Sequence, residues 1–438
     1  MDPFQALSIF YLIASILWIF RYPVVVIGVQ VFATPVFGLA LETIGLGFGS
    51  FYLILVLTCF SLLVHLYRNN SLSIIPTTYP EYMMLLLMFL MLLSLTYTPS
   101  EQYGVRKTLG YVLIAFPIFF VSRNYLGAKA KTTEVFAIVA QYAIFILIFY
   151  TAYVLTNPVE QHTAGNATRI RTSFFGPLPL GYIVATMFPF VLFYFVTSKA
   201  LGKLLSLAGM FAIMVIIAAT GSRGPTLALG IAILIVALQG RNLAKLLFST
   251  VLLVTVVLGS LSLVSLNTIE GLGAIEQLGG LNRIFGIDER ASGTRSSDGR
   301  IELYSQAITQ FLEFPLLGQG IGSFSWWYVS VDERIYPHNL FLEIAGELGL
   351  LGLVIFVSGL VYCVFQIGKL RLTTTGSGKE VYWFVICTQA IFFIGLVNAS
   401  FSFDMPGQRT LFLAMGILSA TSGWPVRNGR RPRRRRYR

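Results

Sequence analysis

Charged side chains are scarce in this sequence. Only 11% of the 438 residues are Asp, Glu, Lys or Arg, whereas about a quarter are charged in an ordinary soluble domain. Several uncharged runs reach about 20 residues, the length at which a helix crosses the roughly 30 Å hydrocarbon layer of a membrane. A helix also satisfies its own backbone hydrogen bonds where no water is available. The scarcity of charge therefore excludes a soluble core and predicts an all-α, polytopic integral membrane protein.

Cysteine and paired acidic residues are also rare. The three cysteines, Cys59, Cys363 and Cys387, lie in separate apolar segments without metal-ligand spacing, so we interpret them as small packing residues. None of the five aspartates belongs to an Asp-X-Asp pair, which argues against an enzyme that binds a nucleotide-sugar donor through a metal. We therefore expect neither a metal site nor another cofactor.

The net charge of +12 is concentrated at the C-terminus. Eight arginines occupy Arg427–Arg438 with no acidic residue among them, and +12 less these eight charges leaves +4. An Arg cluster after the last apolar segment is typical of a cytoplasmic anchor that contacts anionic membrane lipids. No aromatic and basic surface accompanies the cluster, so we do not expect nucleic-acid binding.

The apolar runs predict about twelve transmembrane helices after an N-terminal run at 4–20. We interpret that first run as a retained membrane segment rather than a signal peptide, because no basic region precedes it and no small-residue cleavage site follows. The other runs cover roughly 23–41, 50–67, 80–97, 108–121, 133–155, 178–197, 203–219, 224–239, 245–266, 339–367, 380–397 and 407–423.

Basic connections between these runs give a consistent topology. If the Arg-rich tail is cytoplasmic, five connections that carry Lys and Arg also fall inside, as the positive-inside rule requires. They contain Arg68; Arg123, Lys129 and Lys131; Lys199 and Lys203; Arg241 and Lys245; and Lys369, Arg371 and Lys379.

The longest connection, from Asn267 to Pro337, then faces outward and is rich in Gly, Ser and charge. We expect short helices over the membrane surface here, and interpret Gly318–Gly322 as a turn, since no Walker lysine accompanies it. The predicted organisation is transmembrane helices over 1–266, an extracytoplasmic loop over 267–337, transmembrane helices over 338–423 and a basic cytoplasmic tail over 424–438.

Several outward-facing arginines are not explained by the positive-inside rule. Arg169 and Arg171 precede a predicted span, Arg223 lies in a tight turn between two spans, and Arg300 lies in the large loop. Each could be a snorkelling side chain or a partner of a helix C-terminus. Together, their forked guanidinium donors would suit the oxygens of a pyrophosphate.

A second polar feature lies where the loop re-enters the membrane. Asn339, Glu343 and Glu347 are spaced i, i+4 and i+8, so they form one stripe along a helix with His338 at its mouth. The glutamates could bind substrate or pair with a buried arginine or with backbone donors, and the sequence does not decide between these roles. The neutral imidazole of His338 can accept a proton near pH 7 and is the candidate general base.

In this order, the motifs resemble those of the O-antigen ligase and O-antigen (Wzy-type) polymerase superfamily of bacterial membrane glycosyltransferases. They span roughly residues 165 to 360. The resemblance rests on Gly221-Ser222-Arg223-Gly224, on Gly299-Arg300 followed by Pro315-Leu316-Leu317-Gly318-Gln319-Gly320, and on Pro337-His338-Asn339 followed by Glu347-Leu348-Gly349-Leu350-Leu351-Gly352.

The resemblance implies a periplasmic loop above a cavity in the bacterial cytoplasmic membrane. There, a glycan linked to undecaprenyl pyrophosphate would pass, with inversion and without a metal, to an acceptor glycan (polymerase) or to lipid A core (ligase); the motifs do not separate the two. The family's essential arginines map to Arg223 and Arg300, with Arg171 as a further match, and its essential histidine maps to His338.

The competing hypothesis is a transporter or flippase of a lipid-linked oligosaccharide, in which Glu343 and Glu347 would bind ions. Such transporters carry broken helices and ionisable residues near the midplane of several spans. Here the arginines and His338 crowd the outer boundary instead, which favours the enzyme.

Overall fold

The computed structural model describes residues 3–46, 49–69, 72–126, 129–156, 176–239, 294–374 and 378–424, and within these ranges it contains helices and no strand. The helices are α1 (Pro3–Arg21), α2 (Val25–Thr43), α3 (Ser50–Asn69), α4 (Tyr79–Ser94), α5 (Glu101–Tyr125), α6 (Lys129–Thr156), α7 (Pro177–Thr197), α8 (Ala200–Thr220), α9 (Arg223–Gln239), α10 (Thr294–Glu313), α11 (Ser323–Val329), α12 (Leu340–Thr374), α13 (Lys379–Phe401) and α14 (Arg409–Ala420).

The number and length of these helices fit a membrane protein. Nine helices in the described part of the chain are long and apolar enough to span a bilayer, including α1. Three shorter apolar helices, α4, α9 and α14, coincide with further predicted runs. The predicted run 245–266 lies outside the described residues. The all-α, multi-pass class is therefore confirmed, and the total of about twelve spans stays a prediction.

Lysine and arginine side chains join helix ends that the charge pattern assigned to one side. The Arg68 guanidinium donates to the carbonyl of Arg21 at 2.7 Å, which ties α3 to α1. Lys379 Nζ donates to the carbonyl of Val196 at 3.0 Å, which ties α13 to α7. We call this the inner end of the bundle and the opposite end the outer end.

Aromatic packing joins three helices of the bundle, α6, α7 and α13. The Phe136 ring of α6 stacks on Phe190 of α7 at 4.5 Å and meets Phe384 of α13 edge-on at 5.3 Å. Where α13 crosses α14, a Cβ on Gly395 would lie 2.7 Å from the backbone of Leu411, so only glycine permits this approach. Such close packing matters in a bilayer, because lipid tails are as apolar as the side chains they replace.

Helix α12 is broken at Gly349, whose φ is 66° and ψ −165°. The break frees two carbonyls, which the loop after α10 satisfies: the amide of Gln319 donates to Gly346 at 3.1 Å and that of Gly320 to Glu347 at 2.9 Å. The predicted turn at Gly318–Gly322 is thus the partner of the break. Two motifs that carry the family resemblance, the one ending in Gly318-Gln319-Gly320 and the one beginning at Glu347, therefore pack against each other through their backbones.

Candidate functional site

His338 lies at the outer end of the bundle, directly before α12. Its φ of 57° places it in the left-handed region, which a residue other than glycine rarely adopts. The next residue, Asn339, is the N-cap of α12: its Oδ1 accepts hydrogen bonds from the amides of Phe341 at 3.0 Å and Leu342 at 3.2 Å. The structure therefore gives Asn339 a capping contact, and its predicted contact with substrate stays a prediction.

The surroundings of His338 favour the neutral form of its imidazole. Burial lowers the pKa of His338, and the positive charges of Arg300 and Arg334 lower it further, while Asp404 acts in the opposite direction. The Tyr336 ring packs against the imidazole with centroids 4.5 Å apart. The Nδ1 atom is buried and has no hydrogen-bond partner. A neutral imidazole at pH 7 is the form that can accept a proton.

Tyr182 of α7 connects the regions of the two motif arginines. The half-buried Arg300 of α10 interacts electrostatically with both Tyr182 and His338. A Cβ on Gly224, the residue after Arg223, would lie 2.5 Å from the Tyr182 hydroxyl. The structure thus places Arg300 within electrostatic range of His338 and the first turn of α9 against Tyr182.

The tight turn predicted around Arg223 is present. Gly221 ends α8 with φ 57°, and α9 begins two residues later with the exposed Arg223. Arg169 and Arg171 lie outside the described residues, so their assignment to the site stays a prediction.

Glu343 and Glu347 share a buried lysine. Lys107 Nζ of α5 lies 2.6 Å from Glu343 Oε1 and 2.6 Å from Glu347 Oε2, and the three side chains are at most 1% exposed. The predicted stripe is therefore formed, and its glutamates pair with a buried lysine, whereas the sequence had suggested an arginine or backbone donors as structural partners. Their predicted binding of substrate stays a prediction.

The loop segment before His338, which contains Asp332 and Arg334, is attached to the bundle through the carboxylates of Asp404 and Asp332. Arg334 Nε and Nη2 donate to Oδ2 and Oδ1 of Asp404, both at 2.9 Å, and these bonds raise the pKa of Arg334. The Tyr103 hydroxyl donates to the same Asp404 at 3.1 Å.

Asp332 forms the second attachment, at the N-terminus of α5. It accepts from the Ser100 hydroxyl at 2.6 Å and from the amides of Gln102 and Tyr103 at 2.7 and 3.0 Å. Burial alone would raise the pKa of Asp332, but these hydrogen bonds hold it below its ordinary value.

A partly open cavity of about 530 Å³ lies between this segment, α5 and the start of α14. Its walls include Tyr103, Arg106, Lys107, Glu333, Asp404 and Arg409, and its volume falls within the range of small-molecule sites. Among the described residues, no group of three or more His, Cys, Asp or Glu is placed to hold a metal ion.

Residues 208–357 match a protein-family model described as O-antigen ligase. The chain carries an O-antigen ligase domain. This confirms the resemblance to the ligase and polymerase superfamily and indicates a glycosyltransferase-type enzyme of ligase or polymerase type in a bacterial membrane. A lipid-linked glycan and an acceptor are the partners that such an enzyme requires. No curated protein matches the chain.

The O-antigen ligase domain contains Arg223, Arg300 and His338, but part of the surrounding site lies beyond it. Lys107 precedes the matched residues and Asp404 and Arg409 follow them. Sequence reasoning missed all three, together with Arg106 and Arg334. The criterion applied to Arg223, an arginine at an outward-facing boundary, would also have selected Arg106, Arg334 and Arg409.

Arg409 opens α14 on the wall of the cavity. Its guanidinium donates to the carbonyl of Gln30 at 2.9 Å and to the Thr34 hydroxyl. Gln30 lies in the π-helical turn Val29–Ala33 of α2, where the regular bonding pattern of the helix is interrupted. Arg409 therefore joins the site of the ligase domain to the N-terminal helices.

Proposed function

We propose that this protein transfers a glycan from undecaprenyl pyrophosphate to the hydroxyl of an acceptor sugar at the periplasmic face of the cytoplasmic membrane. One observation supports this function most strongly: His338, kept neutral, lies within electrostatic reach of Arg300, and both belong to the O-antigen ligase domain. A general base beside a cation is the arrangement that glycosyl transfer from a pyrophosphate needs.

The proposed reaction is a single displacement. His338 takes the proton of the acceptor hydroxyl while its oxygen forms a bond to the anomeric carbon of the donor sugar. The bond from that carbon to the pyrophosphate oxygen breaks, and the lipid pyrophosphate leaves with the electron pair. Attack opposite the leaving group inverts the anomeric centre. Arg223 and Arg300 neutralise the charge that develops on the pyrophosphate, so no metal is needed.

Other predicted site residues fall into two groups under this proposal. Arg169 and Arg171, which precede α7, would contact the phosphates or adjacent sugar of the donor. Asn339, Glu343 and Glu347 would act on His338 through α12, since their contacts cap that helix and tie it to Lys107.

A reconstituted transfer assay tests the function. Purified protein in EDTA receives undecaprenyl-pyrophosphate-linked glycan and, separately, lipid-linked repeat units or lipid A core as acceptor. We expect product from the wild type and a loss of about 10²-fold or more for His338→Ala and Arg300→Ala. The matched control is His65→Ala, a histidine near the inner end of α3. Transfer by His338→Ala at the wild-type rate would contradict the assignment of His338 as the general base.

Lipid-linked oligosaccharide transport remains a second candidate, favoured by two observations. Helix α12 is broken at Gly349, and the ion pairs of Lys107 are fully buried in the bundle. Lys107 lies six residues after Glu101, however, which at 1.5 Å per residue is only about 9 Å below the start of α5. Movement of fluorescent lipid-linked glycan across proteoliposomes, without product from either acceptor, would favour transport over transfer.

A further inference from the structure

The Arg334 and Asp404 pair connects His338 with the cavity at the outer end. Both side chains interact electrostatically with His338, and both also line the 530 Å³ cavity. Arg300 of α10 interacts electrostatically with His338 and with Tyr182 of α7, and neither of these two helices contributes a side chain to the cavity wall. His338 therefore interacts with Arg300, which does not line the cavity, and with Arg334 and Asp404, which do.

We propose that the cavity binds the acceptor glycan, while the region of Arg223 and Arg300 holds the pyrophosphate of the donor. This inference rests on the proposed glycosyl transfer and adds to it the location of the second substrate. The acceptor hydroxyl would reach His338 past Asp404, on the side away from the leaving group.

Charge balance in the cavity favours a neutral sugar over a pyrophosphate. The charge of Lys107 is compensated by Glu343 and Glu347, and that of Arg334 by Asp404. Of the remaining cations on the wall, Arg106 interacts electrostatically with Asp332, and the Arg409 guanidinium donates to Gln30 and Thr34. Glu333 adds a further carboxylate to the wall. A pyrophosphate placed here would lie among carboxylates and be repelled by them.

The cavity offers the contacts that a sugar uses. Sugar hydroxyls both donate and accept hydrogen bonds, so they can pair with the Arg106 guanidinium and the Glu333 carboxylate at once. The Tyr103 side chain adds an aromatic surface to the wall. Arg106 and Glu333 are exposed, which leaves the cavity accessible from the outer end, whereas Lys107 closes its floor.

Steady-state kinetics of Arg106→Gln and Glu333→Gln test the acceptor site. Both residues are exposed, so the substitutions leave the packed bundle intact. Donor and acceptor are varied separately, with lipid-linked repeat units or lipid A core as acceptor, whichever the wild type uses. We expect the acceptor KM to rise about tenfold in each variant, because a hydrogen bond to a charged group is lost. The donor KM should stay within about twofold of the wild-type value.

Two exposed residues away from the cavity supply charge-matched controls: Lys203→Gln for the arginine and Glu42→Gln for the glutamate. Neither control should change either KM. A raised donor KM with an unchanged acceptor KM would assign the cavity to the donor and overturn the inference, as would no change in either. A wild-type protein that forms no product would instead remove the proposed function itself.

Discussion

The backbone of Gly318 lies directly against the backbone of Glu347 at the break in α12. A Cβ on Gly318 would be 2.3 Å from the carbonyl carbon of Glu347, and the φ of Gly318 is 68°. Glu347 is also one of the two carboxylates that hold Lys107. The turn after α10 therefore supports, through the main chain, the helix whose side chains form the buried ion pairs.

Gly318→Ala is expected to destabilise the protein by about 2 kcal/mol or more, because both the positive φ and the contact with Glu347 exclude a Cβ. Thermal unfolding of the detergent-solubilised protein measures the loss. Gly230→Ala is the matched control, since a Cβ there meets nothing within 4 Å. Equal melting temperatures for the two variants would contradict the close approach seen at Gly318.

Lys107→Met is expected to cost about 3–5 kcal/mol, because it leaves two carboxylates buried without their cation. The triple variant Lys107→Met, Glu343→Gln, Glu347→Gln removes all three charges and should recover much of the stability. Thermal unfolding of the single and triple variants is the measurement. A triple variant no more stable than Lys107→Met would show that charge burial is not the cause of the loss.

Arg300→Gln is expected to shift the acidic limb of the pH profile to higher pH. Transfer needs neutral His338, so kcat/KM falls as the pH drops through the pKa of this residue. Arg300 lowers that pKa, and removal of its charge lets the pKa rise. The profile of residual activity is measured from about pH 4 to 8, around the ordinary histidine pKa. Arg68→Gln at the inner end is the control and should leave the limb in place.

Asp404→Asn tests the same electrostatics with the opposite sign. Asp404 raises the pKa of His338, so its neutralisation should move the acidic limb to lower pH. Shifts in the same direction for Arg300→Gln and Asp404→Asn would contradict His338 as the titrating group.

Asn339→Ala and Asn339→Asp separate a capping role from contact with substrate. The alanine variant loses the bonds to the amides of Phe341 and Leu342 and should cost about 1 kcal/mol in thermal unfolding. Aspartate caps as well as asparagine does, so Asn339→Asp should unfold like the wild type and keep its transfer activity. Activity lost equally in both variants, with stability retained in Asn339→Asp, would instead support direct contact with substrate.

The sequence by itself determined the class of the protein and much of its polar chemistry. A helix in lipid must satisfy its backbone locally, so apolar length alone located the described spans. Helical periodicity placed Asn339, Glu343 and Glu347 on one stripe, and the turn at Gly221 was readable from two adjacent spans. The order of short motifs was enough to indicate the O-antigen ligase family, which the match over 208–357 confirmed.

Only the tertiary structure decided which groups meet. Lys107 lies 240 residues from Glu347, and Arg334 lies 70 residues from Asp404. No local pattern encodes such pairs, because they depend on which helices pack together and at what rotation. The same holds for Gly318 against Glu347 and for the cavity beside His338. In a bilayer, apolar periodicity does not specify helix neighbours, since lipid and protein surfaces are equally apolar; close packing and buried polar contacts do.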